Sequence, residues 1–178
     1  MTDEYLRVMP EPLLRASTSN FPIGHLIHCR EYKHEQPYWL WDTETEWLMG
    51  HRMPPFQRPP VWTRAQAVRF IESAWMGLHL GTYVVNRNES WNKRLNLPHP
   101  ADLWIIDGQQ RLRAIDAYLS DAWPVFGYTW SSLPRHEQLR FGNLTFAQSI
   151  VHEGDEAILL ELYRRLNFGG TPHEECRI

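Results

Sequence analysis

The sequence predicts an α+β (α/β) fold in which a small mixed sheet is packed by helices. Three observations carry that prediction. The apolar run Leu103-Trp104-Ile105-Ile106 stops at Asp107-Gly108, and helical spacing begins at once with Leu112, Ile115 and Leu119, giving strand, tight turn and helix. A capped amphipathic helix from Thr63 precedes Thr82-Tyr83-Val84-Val85, whose β-branched and aromatic content is that of a strand. Beyond them, strand and helix signals continue to alternate without an internal repeat.

In chain order, residues 1 to about 50 carry Pro10, Pro12, Pro22 and Pro37 and lack clean periodicity, which suggests an aromatic N-terminal arm with short strands. Its cluster Tyr38, Trp39, Trp41 and Trp47 has strand alternation at Trp39 and Trp41. Core or interface packing is the plainer role for these rings, and a stacking platform for bases is the functional one. The domain proper is expected over residues 51–178. Pro54-Pro55-Phe56-Gln57-Arg58-Pro59-Pro60-Val61-Trp62 is extended, because proline fixes φ and disfavours helix in the residue before it. Thr63 then caps a helix, Gln66 completes a Thr-x-x-Gln box, and Val68, Ile71, Trp75 and Leu78 mark its buried face. Gly77 is the expected stop. Asn86 to Pro100 predicts a surface loop, and Trp104 to Ile106 a central strand. Leu133 to Phe141 predicts a short helix with Pro134 at its first position, and Leu144 to Val151 another strand. Gly154-Asp155 opens a last helix with Ile158, Leu159, Leu162 and Leu166 inward, ended by the glycine turn Asn167-Phe168-Gly169-Gly170.

Composition bounds the function. With 43% hydrophobic and 22% charged residues, the 178-residue chain has the make-up of a globular protein. No apolar run approaches the ~20 residues of a membrane helix, and Met1-Thr2-Asp3-Glu4 lacks the basic start of a signal peptide. Cys29 and Cys176 are far apart and form no CxxC pair, so neither a disulfide framework nor a thiolate zinc site is expected. The cytoplasm is the expected compartment, with no membrane partner. A net charge of −3 means that any nucleic-acid contact must come from a local basic patch. Of 18 basic residues only Lys33 and Lys93 are lysines. Arginine's planar fork suits phosphate, although codon bias explains the preference equally well.

The chemistry concentrates at Asp107-Gly108-Gln109-Gln110-Arg111. A strand ends there, Gly108 permits the turn, and the first N–H groups of the next helix have no internal acceptor, which favours an anion. Gln109 and Gln110 add amide donors, and Arg111 and Arg113 add charge; Arg111 can fork two phosphate oxygens. Asp107 can orient Arg111, hold a metal or activate water. The bland alternative is that Asp107 caps the helix and Arg111 pairs with it.

Asp107 to Arg111, flanked by Trp104-Ile105-Ile106 and Leu112, resembles the DGQQR signature of the family called Domain of Unknown Function 262. Three further landmarks follow in the family's order. Phe56 to Trp62 resembles its QRPYVW box, Phe70-Ile71-Glu72-Ser73 with Met76-Gly77 resembles the helix after it, and Arg165 to Pro172 resembles its R-x-N-x-G-G-x-P segment. The resemblance covers roughly residues 50 to 175 and extends to the N-terminal domain of GmrSD-type restriction proteins. It implies a ParB/sulfiredoxin-like fold whose equivalent turn contacts nucleotide phosphates, with a nucleoside triphosphate and Mg²⁺ as cofactors. It also implies that Gln57 and Arg58 approach the phosphate from a second loop, and that the glycine turn closes the site with Asn167 as a polar contact. No His-His-Asn nuclease pattern is visible, so the expected activity is that of the single domain.

Three functions stay open. The first is a nucleotide-binding domain and weak NTPase in DNA processing or in phage–bacterium defence or counter-defence. Its catalytic residues would be Asp107 and Arg111, its metal ligand Asp107, and its nucleotide contacts Gln57, Arg58, Gly108, Gln109, Gln110, Arg111 and Asn167. The second is a metal-dependent DNA nuclease using Asp107 and another carboxylate such as Glu72. The third is a non-catalytic DNA- or protein-binding module that meets its partner through the aromatic arm.

Overall fold

The computed structural model describes residues 12–13, 15–31, 45–88 and 99–168. Its main sheet is assembled on β4 (Thr82–Asn86), which pairs in parallel with β6 (Thr145–Val151) and antiparallel with β5 (Ile105–Asp107). β1 (Ala16–Pro22) adds antiparallel along the whole of β6, from Ala16↔Val151 to Pro22↔Thr145, giving the order β1-β6-β4-β5. The predicted α+β fold with a mixed sheet is therefore present. Strand alternation sends side chains to two cores. Tyr83, Val85, Ile105 and Phe146 join the larger one, with α1 (Ile23–Glu31), α2 (Arg64–Trp75), α3 (Gln109–Leu119) and α4 (Arg135–Gly142). Val84, Ile106 and Val151 face Leu159, Leu162 and Tyr163 of α5 (Glu156–Phe168).

This two-sided burial corrects the expectation that residues 104 to 106 are a central strand. β5 is a three-residue edge strand. Its run is continuously apolar because helices cover both faces, not because strands flank both sides. Leu103, at φ 62, bends the chain just before it, and Trp104 keeps an isolated bridge to Arg52. The first fifty residues, suggested as an arm, supply β1 and α1; Ile23 and Leu26 of α1 are fully buried. They also supply β2 (Trp47–Leu48), which forms a hairpin with β3 (His51–Arg52). The connecting Met49 and Gly50 both have positive φ, the mark of a twist-matched two-residue turn. Of the aromatic cluster, Trp47 is half-buried in β2, and Tyr38, Trp39 and Trp41 lie outside the described residues.

Helix ends explain further differences. The Thr63–Gln66 capping box is present in both directions. At the other end of α2, Gly77 (φ 73) donates to the Ala74 carbonyl and Leu78 to the Ser73 carbonyl, a Schellman stop. The chain leaves the helical path there, so Leu78 is 56% exposed rather than inward, while Ile71 and Ala74 are buried. Leu166 is likewise exposed, its expected inward place being taken by Tyr163. Pro134 caps α4 from outside instead of occupying its first turn. Asn86, expected in a loop, ends β4 fully buried: its Nδ2 donates to the carbonyls of Ala101 and Glu153, and its Oδ1 accepts from Glu153 N–H. The turn at Gly169-Gly170 lies outside the described residues, and Asn167 is still helical.

A buried histidine stands in the core. His51 is 5% exposed, its Nδ1 2.9 Å from the Met49 carbonyl and its ring set edge-on to Tyr83. Removal from water pushes its pKa down to about 4.

Candidate functional site

β5 delivers Asp107 to the sheet edge, and Gly108 turns the chain into α3 with φ 97. A Cβ on Gly108 would stand 2.4 Å from Tyr83 Cβ and 3.0 Å from Tyr83 Cα, so only glycine lets this turn lie on β4. Gly108 is also the N-cap. Among the described residues no side chain caps the first N–H groups of α3, from Gln109, Gln110 and Arg111, which stand at the positive end of the helix dipole.

Asp107 is not a cap. Its Oδ2 accepts from Arg111 Nη2 at 2.7 Å, with both side chains about a quarter exposed (26% and 22%). A half-solvated pair of this kind contributes at most about 1 kcal/mol. Its larger effect is positional: the guanidinium is held over Gly81, where a Cβ would meet Arg111 Nη1 at 2.5 Å. Gly81 itself adopts φ 76.

The proline-rich segment forms the opposite wall. Gln57 Nε2 donates to the Ile105 carbonyl (3.1 Å), and the Arg58 N–H donates to the Tyr163 hydroxyl (3.1 Å), tying the segment to β5 and α5. Gln110 Oε1 accepts from the N–H groups of Val61 (3.2 Å) and Trp62 (3.1 Å), and its Nε2 donates to Gln109 Oε1 (3.2 Å). Gln110 is thus a brace between the turn and the segment. Gln109 is 6% exposed, yet its Nε2 has no acceptor among the described residues. Asn167, in the last turn of α5, donates from Nδ2 to the Tyr163 carbonyl (3.0 Å).

These residues converge. Gln57, Arg58, Asp107, Gly108, Gln109, Gln110, Arg111 and Asn167 all line one cavity of about 200 Å³, together with Trp62. Two arginines and an open helix start oppose a single carboxylate, so the cavity is positive in balance. Glu72, offered as a second acidic group, sits in α2 and does not line it. Among the described residues no group of three or more His, Cys, Asp or Glu is placed to hold a metal. Among the described lining residues Asp107 is the one carboxylate, a donor that suits a Mg²⁺ shared with ligand phosphate oxygens. Sequence reasoning missed three contributors. Trp62 enters the sequence reading only as part of a box, and Tyr163 is not singled out. Gly81 was not singled out, although a glycine before a β-branched strand is a signal for positive φ.

Among the described residues no helix is long and apolar enough to cross a membrane. No curated protein matches the chain. Among solved structures, the chain is similar to the crystal structure of the C-terminally truncated chromosome-partitioning protein ParB from Caulobacter crescentus complexed with CTP-gamma-S. The identity is 12% and the TM-score 0.41, over 88% of this chain and 56% of that one. The chain thus spans little more than half of that structure. The family model described as GmrSD restriction endonuclease, N-terminal domain, matches residues 42–149, a span that holds both the Phe56–Trp62 segment and the Asp107–Arg111 turn and stops short of Asn167. With more than half of its length matched by that model, the chain belongs to the GmrSD restriction endonuclease N-terminal domain family.

Proposed function

We propose that this domain binds the phosphate chain of a nucleoside triphosphate, with Mg²⁺, in the cavity at the start of α3. The observation that carries the reading is the convergence there, among the described residues, of a helix start without a side-chain cap, two arginines from separate segments and the side-chain amide of Gln109. Each is a donor, and an anion with several oxygens satisfies them together. Arg111 forks the phosphate, Arg58 faces it from the other wall, and Gln57 and Asn167 border it. Asp107 would hold Mg²⁺, which when bound neutralises phosphate charge. Asp107 also orients Arg111, so a phosphate competes with this carboxylate for the guanidinium. With one carboxylate available to position water, turnover is expected to be slow. Membership of a restriction endonuclease family supports a setting in DNA processing or phage–bacterium defence.

Calorimetric titration with sodium tripolyphosphate and with nucleoside triphosphates, each with Mg²⁺, tests the reading. Arg111→Ala and Arg58→Ala should each weaken binding by about 1.5–3 kcal/mol, the range for a hydrogen bond to a charged group. Unaltered affinity in both folded variants would remove the arginines from the site.

A further inference from the structure

We infer that Trp62 is the platform on which the base of the bound nucleotide stacks, so that the ligand is recognised as a nucleotide and not as a bare polyphosphate. The inference rests on the phosphate reading above and adds the position of the base to it.

Size gives the first argument. The cavity holds about 200 Å³, below the roughly 300–1,000 Å³ of pockets that enclose whole drug-sized ligands. A phosphate chain fills such a space, and the nucleoside must lie at its mouth. Composition gives the second. Among the described lining residues Trp62 alone is aromatic, set beside amide, guanidinium and carboxylate groups that suit phosphate.

Rigidity gives the third. The Trp62 N–H donates to Gln110 Oε1, and its ring packs on Phe70 with centroids 5.6 Å apart. The indole is half-buried, and the residues before it, Pro59, Pro60 and Val61, are exposed, which sets Trp62 at the boundary between cavity and solvent. A flat ring fixed there before the ligand arrives loses little freedom when a base lands on it. Every base has a π-face, so the platform tolerates sequence, but a purine covers more of an indole than a pyrimidine does. The preferred class is therefore a purine nucleoside triphosphate.

The test compares sodium tripolyphosphate, ATP, GTP and CTP, each with Mg²⁺, on the parent, Trp62→Leu and Trp62→Phe. Leucine keeps apolar packing against Phe70 and removes the aromatic face; phenylalanine keeps a smaller face. Thermal unfolding checks that all three proteins fold. The parent should bind ATP and GTP more tightly than tripolyphosphate, with CTP between. Trp62→Leu should lose about 5- to 150-fold in affinity for the purine nucleotides, the effect of one base–aromatic stack, and keep the parental affinity for tripolyphosphate. Trp62→Phe should recover most of that loss. If tripolyphosphate binds but Trp62→Leu leaves ATP and GTP unaffected, the stacking inference falls and the phosphate site stands. Equal weakening of tripolyphosphate and ATP also overturns it, because the loss then lies in the shape of the cavity. A parent that binds neither tripolyphosphate nor any nucleotide overturns the phosphate reading and this inference with it.

Discussion

Gly81→Ala is the most diagnostic perturbation of the cavity, because it deletes no functional group. Gly81 sits at φ 76, and a Cβ there would stand 2.5 Å from Arg111 Nη1 and 3.7 Å from its Cζ, with no other heavy atom of the described residues within 4 Å apart from its chain neighbours. Both atoms belong to the far end of a flexible side chain, so the guanidinium gives way and the backbone does not. An alanine held in left-handed geometry loses about 1–2 kcal/mol. Reduced freedom of the unfolded chain returns about 0.4–1 kcal/mol of that. The net effect on stability is about 1 kcal/mol, or a Tm lower by roughly 2–4 °C for a chain of this size. Displacing the guanidinium removes a charged hydrogen bond to phosphate, about 1.5–3 kcal/mol, or roughly 10- to 150-fold in Kd. The assay is calorimetric titration of tripolyphosphate with the parent, Gly81→Ala, Arg111→Ala and the double variant, alongside urea unfolding. Because Gly81 acts through Arg111, the double variant should bind no more weakly than Arg111→Ala alone. Parental affinity in Gly81→Ala, or a double variant whose losses add, would refute the reasoning. Gly108→Ala is the contrast: its Cβ strikes Tyr83 Cβ and Cα, and folding itself should fail.

Three further outcomes are expected. Asp107→Asn takes the carboxylate from the cavity and leaves Arg111 without its counter-charge, so tripolyphosphate in EDTA should bind at least as tightly while Mg²⁺-dependent phosphate release is lost; a malachite-green assay beside calorimetry separates the two, and binding lost in EDTA would contradict the competition of Asp107 with phosphate. His51 has a folded pKa of about 4, below its ordinary 6.5, so the unfolded chain takes up its proton first as pH falls. Its contribution is complete above about pH 6.5 and drains toward pH 4, by up to about 3 kcal/mol. Urea unfolding at pH 7.5 and 4.5 should show a smaller loss in His51→Gln than in the parent, and equal losses would count against a buried neutral imidazole. Asn86→Ala strips three hydrogen bonds from a fully buried position and strands the Ala101 and Glu153 backbone groups; a loss of at least about 2 kcal/mol is expected, and a change under 0.5 kcal/mol, roughly that of a neutral surface substitution, would show that the loops do not depend on it.

The parts of the fold legible in the sequence are those whose signals are local. The Thr63–Gln66 box, the stop at Gly77 and the strand–turn–helix around Gly108 each depend on a few adjacent residues, and each is present. Membership of the family was likewise legible, since its landmarks are short and ordered. β1 and α1 were not. The exposed faces of Ser17, Thr18, Ser19 and Asn20 carry no apolar alternation, because an outer edge strand needs little of it, and the short α1 buries only Ile23 and Leu26. The edge position of β5 was hidden because burial on two faces and burial between two strands write the same apolar run. At the site, residue types announced the candidate set, but the division of labour among them did not appear. That Gln110 braces a loop while Gln109 keeps an open amide depends on contacts between residues nearly fifty positions apart.

The pairing of β1 with β6 also sets an order of assembly. Ala16 to Pro22 leaves the ribosome before the other strands of its sheet, while its partner, Thr145 to Val151, is the last of that sheet to be made. Between the two events β1 has no strand to join, and β6 must reach β4 through a crossover that contains β5, α3 and α4. Contacts this distant in sequence form slowly, and a waiting apolar strand would invite pairing between nascent chains. Ala-Ser-Thr-Ser-Asn-Phe-Pro is a poor partner for such pairing: small, polar and closed by a proline. The same polarity that hid this strand from pattern reading lets it remain solvated until residue 151 has emerged.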